Sequence, residues 1–156
     1  MGLTGPRVGK LAASGDVEGL IALLGSLDKR DVQARHALIG IGADAVPALL
    51  ACALHDESEG ADELTARAAA AHTVLVEIGE PALRAVERVV RTSDDAREVA
   101  GAAALLRQTA QKLQRPVADD LKREVERKTG ATWAAVTGDP GPHDEPPGRE
   151  PGAAPA

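Results

Sequence analysis

The sequence IGADAVPAL at residues 41–49 is answered thirty-seven residues later by IGEPALRAV at residues 78–86. In both copies an apolar helical pattern ends at an Ile-Gly pair, and a second apolar pattern starts three residues after the glycine. Glycine often ends helices because it adopts backbone angles that other residues avoid. A repeat of this length, made of two helices that cannot bury their apolar faces alone, is typical of an α-solenoid. The repeat therefore predicts stacked helix pairs.

The composition also predicts an all-α fold. Hydrophobic residues make up 44% of the 156 residues, yet the chain has no Phe, no Tyr and a single Trp. Alanine, leucine and valine supply most of the apolar side chains, and alanine has the highest intrinsic helix propensity. Strand-rich folds use aromatic and β-branched residues, which argues against them here. A chain of this length can bury a core without disulfides or metal.

Apolar periodicity and helix-breaking residues predict eight helices. They lie at about residues 6–13, 17–25, 31–41, 44–53, 62–78, 81–90, 95–113 and 116–129. We expect Asp31 and Asp44 to cap the third and fourth helices, and Ser93-Asp94-Asp95 to cap the seventh. Helical spacing places Leu27 in the apolar stripe of the second helix and Val32 in the pattern of the third.

The composition changes after Trp133. The last twenty-six residues contain six of the ten prolines. Such a segment lacks the apolar area needed to offset the entropy lost on ordering. We therefore predict a helical domain over residues 1–133 and a disordered Pro/Gly-rich tail over residues 134–156. Trp133 either folds back to cap the end of the helical domain or anchors a partner, since tryptophan is frequent in binding hot spots.

Charge and hydropathy limit the classes of partner. The net charge is −6, and no basic excess exists that would favour nucleic acid. Acidic residues interrupt the apolar pattern near the N-terminus, so we expect no signal peptide. We also expect no membrane span, because no stretch approaches the roughly 18 apolar residues that one requires. A cytoplasmic protein is the resulting prediction.

The helix pairs resemble HEAT-like repeats of the small bacterial type, the phycobilisome-lyase HEAT-like class. The resemblance rests on the apolar and glycine positions of residues 32–50 and on their echo at residues 71–83, and it covers roughly residues 6–128. It implies a right-handed α-solenoid of about four helix pairs, whose second helices line the concave face. The shared positions are core positions, so the resemblance says little about function.

No pattern in the sequence predicts catalysis or metal binding. Iron hydroxylases of this superfamily carry His-Glu pairs, but Ala37 follows His36 and Thr73 follows His72. The acidic stretch at residues 55–59 lacks the glycine and terminal acid of a calcium loop. The single cysteine, Cys52, cannot form an intramolecular disulfide and has no base at a recognisable spacing. We therefore expect no enzyme, no cofactor and no metal site.

The second helix of the first copy differs from its counterpart. The outward positions of the later helix are Arg84, Glu87, Arg88 and Arg91, whereas the matching positions of the earlier one are Pro47, Leu50, Ala51 and Leu54. A helix that is apolar all round is either fully buried or covered by a partner. If the earlier helix is exposed, its apolar face would form a groove that ends at a basic rim on the later helix. Groove and rim together are a predicted binding site of seven residues: Leu23, Ala48, Ala51, Cys52, Arg84, Arg88 and Arg91.

These patterns favour a non-catalytic protein–protein interaction module, an adaptor or regulatory scaffold that binds a partner on the concave face. The expected partner is another protein, a peptide segment with acids at one end, or a second copy of the chain. The alternative is a lyase-like enzyme or enzyme accessory that holds a small molecule in the groove. A deep pocket with converging polar groups would favour that alternative. Nucleic-acid binding, a third possibility, would need a longer basic track than Arg84, Arg88 and Arg91 provide.

Overall fold

The computed structural model describes residues 8–55 and 65–138, and every regular element within these ranges is a helix. This confirms the predicted all-α fold class. The elements in order are α1 Val8–Ser14, α2 Val17–Ile21, α3 Lys29–Ile41, a 3-10 turn Gly42–Ala45, α4 Val46–His55, α5 Ala66–Ile78, α6 Glu80–Thr92, α7 Ala96–Lys112, α8 Asp119–Thr129 and α9 Trp133–Thr137.

Two glycines bend the chain in the same way at equivalent positions of the repeat. Gly42 has φ 71° and ψ −127°, and Gly79 has φ 82° and ψ −121°. Each also donates its N–H to the carbonyl four residues earlier, that of Leu38 or of Leu75. Side chains other than hydrogen are strongly disfavoured at these angles. The two Ile-Gly pairs thus form matching hinges between α3 and α4 and between α5 and α6.

The core repeats with the same period as the hinges. Ala34, Leu38, Ala45 and Leu49 are all fully buried in the first copy. Their counterparts thirty-seven residues later are fully buried as well: Ala71, Leu75, Ala82 and Val86. Many of these side chains are small, which allows the helix backbones to approach closely. Sequence periodicity and burial therefore agree through both copies.

The helices contact one another in two alternating series. One series runs from α1 to α3, α5, α7 and α9, and the other from α2 to α4, α6 and α8, with each member packed on the next. The closest packing joins the two series, where α4 lies along α5 and α6 lies along α7. A single apolar core extends from Val8 to Trp133 as a result.

Side-chain caps define where several helices begin. The side chains of Asp16, Asp28, Thr65, Asp95 and Thr132 each accept a hydrogen bond from a backbone N–H in the first turn that follows. Such bonds satisfy N–H groups that have no partner inside the helix. The structure confirms the predicted cap of α7 at Asp95.

The expected cap of the third helix, Asp31, has a different role. The N-cap of α3 is Asp28, whose Oδ1 accepts the N–H of Arg30 at 2.8 Å. Hydrogen bonds from Arg30 lower the pKa of Asp28 to about 2. Asp31 is only 9% exposed; it accepts the N–H of Gly25 at 2.8 Å and pairs with Arg35 at 2.8 Å. The prediction was wrong because Asp31 ties the preceding loop to α3 instead of starting the helix.

The second helix is shorter than predicted, which changes the position of its last leucine. α2 ends at Ile21, and Gly25 has a φ of 77°, so the chain turns before residue 27. Leu27 therefore leaves the helical register and is fully exposed. Val32 is also exposed, at 53%, because the buried side of α3 carries Ala34 and Leu38.

Other boundaries also differ from the sequence-based expectation. Asp44 lies inside the 3-10 turn and does not cap α4. α8 begins at Asp119, not Pro116. This start places the carboxylates of residues 119 and 120 in the first turn, where their negative charge interacts favourably with the positive end of the helix dipole. The acidic loop at residues 56–61 and the predicted tail beyond residue 138 lie outside the described residues. Residues 134–137, which we assigned to the tail, continue α9.

One helical stretch is longer and more apolar than we expected. Lys29–His55 spans 27 residues and contains a window with a mean hydropathy of 2.0. By length and composition alone it could cross a membrane. The expectation that no stretch of the chain is long and apolar enough for a membrane span was therefore wrong. About 28% of that window is buried in the protein, and the Gly42 hinge bends the stretch near its middle. The cytoplasmic location stays a prediction.

The Gly42 hinge gives a direct test of backbone strain. No neighbouring atom would lie within 4 Å of a Cβ added at Gly42 or at Gly40, but Gly42 has a positive φ and Gly40 is an ordinary helical residue. We expect Gly42→Ala to lower the free energy of unfolding by about 1–3 kcal/mol. Gly40→Ala should instead raise it by up to about 1 kcal/mol through higher helix propensity. Urea denaturation of both variants measures the difference, and equal effects would contradict the hinge.

A second prediction concerns Lys128, which joins α8 to the end of α6. Its side chain is 5% exposed, and Nζ donates to the carbonyls of Val90, Arg91 and Ser93 at 2.9, 2.9 and 2.7 Å. Lys128→Met keeps the apolar stem but removes these three bonds and the ion pair with Glu124 at 3.3 Å, so we expect a loss of about 1–3 kcal/mol in unfolding free energy. The control Lys10→Met, at an exposed site of α1, should stay within about 0.5 kcal/mol. An unchanged denaturation midpoint for Lys128→Met would show that these bonds do not support the fold.

Candidate binding surface

The predicted apolar residues lie in two environments. Leu23, Ala48 and Cys52 are half-buried and pack against the core. Ala51 is exposed on α4, and so is Pro47 one turn earlier. The structure therefore brings a narrow strip of small uncharged side chains to the surface, while the rest of the predicted groove belongs partly to the core.

Packing explains much of the missing charge on α4. This helix contacts α2, α5, α6 and α7. Val46, Leu49 and Leu50 are buried among these neighbours. Leu54 reaches α7, where its Cδ2 lies 3.0 Å from the position of a Cβ added at Gly101. Burial in the core thus explains the lack of charge along most of α4. An exposed uncharged face is formed only by Pro47 and Ala51, with the half-buried Ala48 and Cys52 beside them.

The three predicted rim arginines are exposed on α6, but two of them have acidic partners. Arg84 Nε donates to Glu80 Oε1 at 3.2 Å, and Arg91 donates to Asp120 Oδ2 at 2.9 Å. Arg88 forms no ion pair with any residue in the described ranges. These hydrogen bonds also affect the acids: Arg115 first and then Arg84 lower the pKa of Glu80, and Arg91 lowers that of Asp120. Because exposed ion pairs contribute little stability, a partner could replace them at small cost.

The two halves of the predicted site share one register. Pro47 and Ala51 on α4 correspond to Arg84 and Arg88 on α6 in the thirty-seven-residue repeat. All four residues are exposed, and α4 contacts α6. A neutral strip and a basic strip therefore lie at equivalent positions of two neighbouring helices.

Sequence reasoning missed a cavity of about 250 Å³ at the C-terminal end of the described chain. Its walls come from the end of α7, the connection to α8, α8 itself and α9. The lining residues are Arg107, Ala110, Gln111, Arg115, Pro116, Val117, Lys122 and Trp133. Arg107 and Gln111 are one turn apart on α7, but only the folded chain adds Lys122 and Trp133. No sequence spacing could have shown this cluster.

Trp133 closes the core beside this cavity. It is 7% exposed, and α9 packs on both α7 and α8. The backbone N–H of Trp133 donates to Glu126 Oε1 at 2.8 Å, which fixes the start of α9. A buried position is what we expect if Trp133 folds back to cap the end of the helical domain.

The histidines in the described part of the chain have separate environments. His36 is exposed, His55 Nε2 lies 3.0 Å from Glu98 Oε1, and His72 Nε2 lies 2.9 Å from Gln108 Oε1. Across residues 8–55 and 65–138, no three His, Cys, Asp or Glu side chains are grouped so that they could hold a metal ion. Whether the chain is an enzyme or binds a cofactor stays a matter of prediction.

No family model, curated protein or solved structure matches this chain. The HEAT-like resemblance therefore stays a prediction made from the repeat.

His72 provides a pH-dependent prediction. Burial lowers its pKa from the ordinary value of 6.5 because the imidazolium loses solvation, although Gln108 partly offsets this. The unfolded chain then binds the proton more tightly than the folded one, so stability falls as pH drops below about 6.5. We expect His72→Gln to weaken the stability loss between about pH 7 and pH 5. The exposed His36→Gln is the control. Identical pH profiles for wild type and His72→Gln, measured by urea denaturation, would contradict this assignment.

Proposed function

We propose that the chain is a right-handed α-solenoid of about four HEAT-like helix pairs. Three features support the proposal. The odd-numbered and even-numbered helices each contact the next member of their own series. Gly42 and Gly79 bend the chain at equivalent positions with nearly equal dihedral angles. The buried positions of α3 and α4 recur in α5 and α6.

The proposed function is that of a non-catalytic protein–protein interaction module, an adaptor or regulatory scaffold in the cytoplasm. In a solenoid of this type the even-numbered helices would form the concave face, which is the usual binding surface. The observation that carries the proposal is the pair of exposed strips at one register: Pro47 and Ala51 on α4 beside Arg84 and Arg88 on α6. Small neutral side chains allow close approach of a partner, and the arginines offer charge for orientation.

The chemistry of the strips favours a partner segment that is apolar at one end and acidic at the other. Arg88 has no ion-pair partner in the described chain, and Arg84 and Arg91 hold only exposed partners. A carboxylate on the partner could bind Arg88 directly and compete for the other two. An amphipathic helix with a few acidic residues, from another protein or from a second copy of the chain, would supply both the apolar contact to the neutral strip and the carboxylates for the arginines.

The small-molecule alternative has no support from the predicted groove. It requires a pocket with converging polar groups among the groove residues. The cavity beside Trp133 is lined partly by polar side chains, but none of the seven predicted site residues lines it.

The proposed surface is tested by Ala51→Glu. Because Ala51 is exposed, the carboxylate should change the free energy of unfolding by no more than about 0.5 kcal/mol. A carboxylate in the middle of the neutral strip should nevertheless prevent partner binding or self-association, as it would have to be desolvated there. Sedimentation measures self-association, and capture from native lysate with quantitative mass spectrometry compares bound proteins.

The matched control is Ala96→Glu, which introduces the same charge at an exposed position in the first turn of α7. We expect Ala96→Glu to retain every partner that Ala51→Glu loses, and Arg88→Glu to weaken the same partners. Global unfolding of Ala51→Glu would mean that α4 is entirely core. Equal binding by the wild type and the folded Ala51→Glu variant would refute the proposed surface.

A further inference from the structure

The two large apolar side chains that are exposed in the described part of the chain lie at the start of one helix. Leu27 is fully exposed and Val32 is 53% exposed. Asp28 caps α3, so Leu27 precedes the cap and Val32 is the fourth residue of the helix. A hydrophobic staple would pack side chains at these two positions against each other. Because both stay exposed, the start of α3 presents unburied apolar surface.

The outward face of α3 continues this surface without an acidic or strongly basic side chain. Val32, His36 and Gly40 follow one another at four-residue spacing, and all three are exposed. No neighbouring atom lies within 4 Å of a Cβ added at Gly40, so the face is open there. The residue of α5 that matches Gly40 in the repeat is Glu77, which pairs with Lys112. α3 therefore lacks the charged outward position that α5 has.

Opposite charges lie at the two ends of this face. Lys29 is the first residue of α3, and Asp44 lies three residues past its end, in the 3-10 turn. Both are exposed, and neither forms an ion pair with any residue in the described ranges. Lys29 is also unfavourable for the dipole of α3, since a helix N-terminus attracts negative charge. The stability of α3 thus gives no reason for a cation at this position.

We propose that α3 is a self-association surface, on which a second copy of the chain packs its own α3 in the antiparallel direction. In a twofold dimer each contact across the interface occurs twice. Pairing centred near His36 places Lys29 of each copy beside Asp44 of the other. The same pairing places Val32 of each copy over Gly40 of the other, where the missing side chain allows the helices to approach closely. The neutral centre and the opposite charges at its ends make this face complementary to itself.

The size of the surface implies a weak dimer. α3 has 13 residues and is therefore about 20 Å long. One helix pair, with Leu27 adding contact at each end, buries less than the roughly 1,200 Å² of a standard stable interface. The dimer therefore exchanges with the monomer. Its surface shares no residue with the strips on α4 and α6, so it does not depend on the function proposed for them.

Sedimentation velocity of the full chain over increasing concentration tests the dimer. We expect reversible dimerisation below about 1 mM. Val32→Glu should weaken it at least tenfold with unchanged helical circular dichroism, because the carboxylates would be desolvated in the interface. Ala51→Glu, on α4, and the control Ala96→Glu should change it less than about twofold. A monomer at about 1 mM, or a dimer that Val32→Glu leaves intact, would contradict the proposal. A dimer lost only in Ala51→Glu would assign self-association to α4 and refute the role of α3.

The charged ends test the antiparallel arrangement. Lys29→Glu and Asp44→Lys each place like charges at both ends of the dimer, so each variant alone should dimerise about tenfold more weakly. An equimolar mixture of the two restores both attractions, but only between different copies. We expect this mixture to dimerise within about twofold of the wild type.

The matched control mixture is Arg123→Glu with Asp94→Lys, which changes the charge of each component equally at exposed positions of α8 and of the connection before α7. Each control variant, and their mixture, should match the wild type within about twofold. If the mixture of Lys29→Glu and Asp44→Lys associates no better than its components, the antiparallel α3 pair is wrong. Stronger association of the control mixture than of the wild type would show general charge attraction and would equally overturn it.

Discussion

The left-handed backbone of two glycines is the constraint on which the arrangement of helices depends. Gly42 and Gly79 share φ values of 71° and 82° and nearly equal ψ values, so the backbone turns in the same way at the end of α3 and at the end of α5. An ordinary residue at either position would favour a continued helix or strain the turn. The same side-chain positions on either side of these hinges are buried in each copy. Leu38 and Leu75, each four residues before its glycine, are both fully buried.

Burial and exposure divide α4 in a way that its composition alone could not reveal. An uncharged helix can be a core helix or a binding face, and α4 is mainly the former, since it contacts α2, α5, α6 and α7. Pro47 and Ala51 remain at the surface, at the positions that arginines occupy on α6. The functional proposal therefore rests on a narrow strip, and the larger apolar groove is mostly accounted for by packing.

The sequence predicted those features that depend on local chemistry and repetition. Helical periodicity, the Ile-Gly hinges and the cap at Asp95 are all readable because each depends on a few neighbouring residues. Asp28 and Asp31 could not be distinguished, since both offer a carboxylate and only the three-dimensional path of the loop selects the cap. The cavity at Trp133 was unpredictable because its cations come from separate elements that only folding brings together.

The central claim is that α3–α4 and α5–α6 are equivalent units bent by equivalent hinges. Residual dipolar couplings of the backbone amides in solution measure the angle between the helix axes in each pair directly. We expect a bend at residue 42 and the same interhelical angle, within ordinary scatter, across residue 79. A straight helix through residue 42, or clearly different angles in the two pairs, would contradict it.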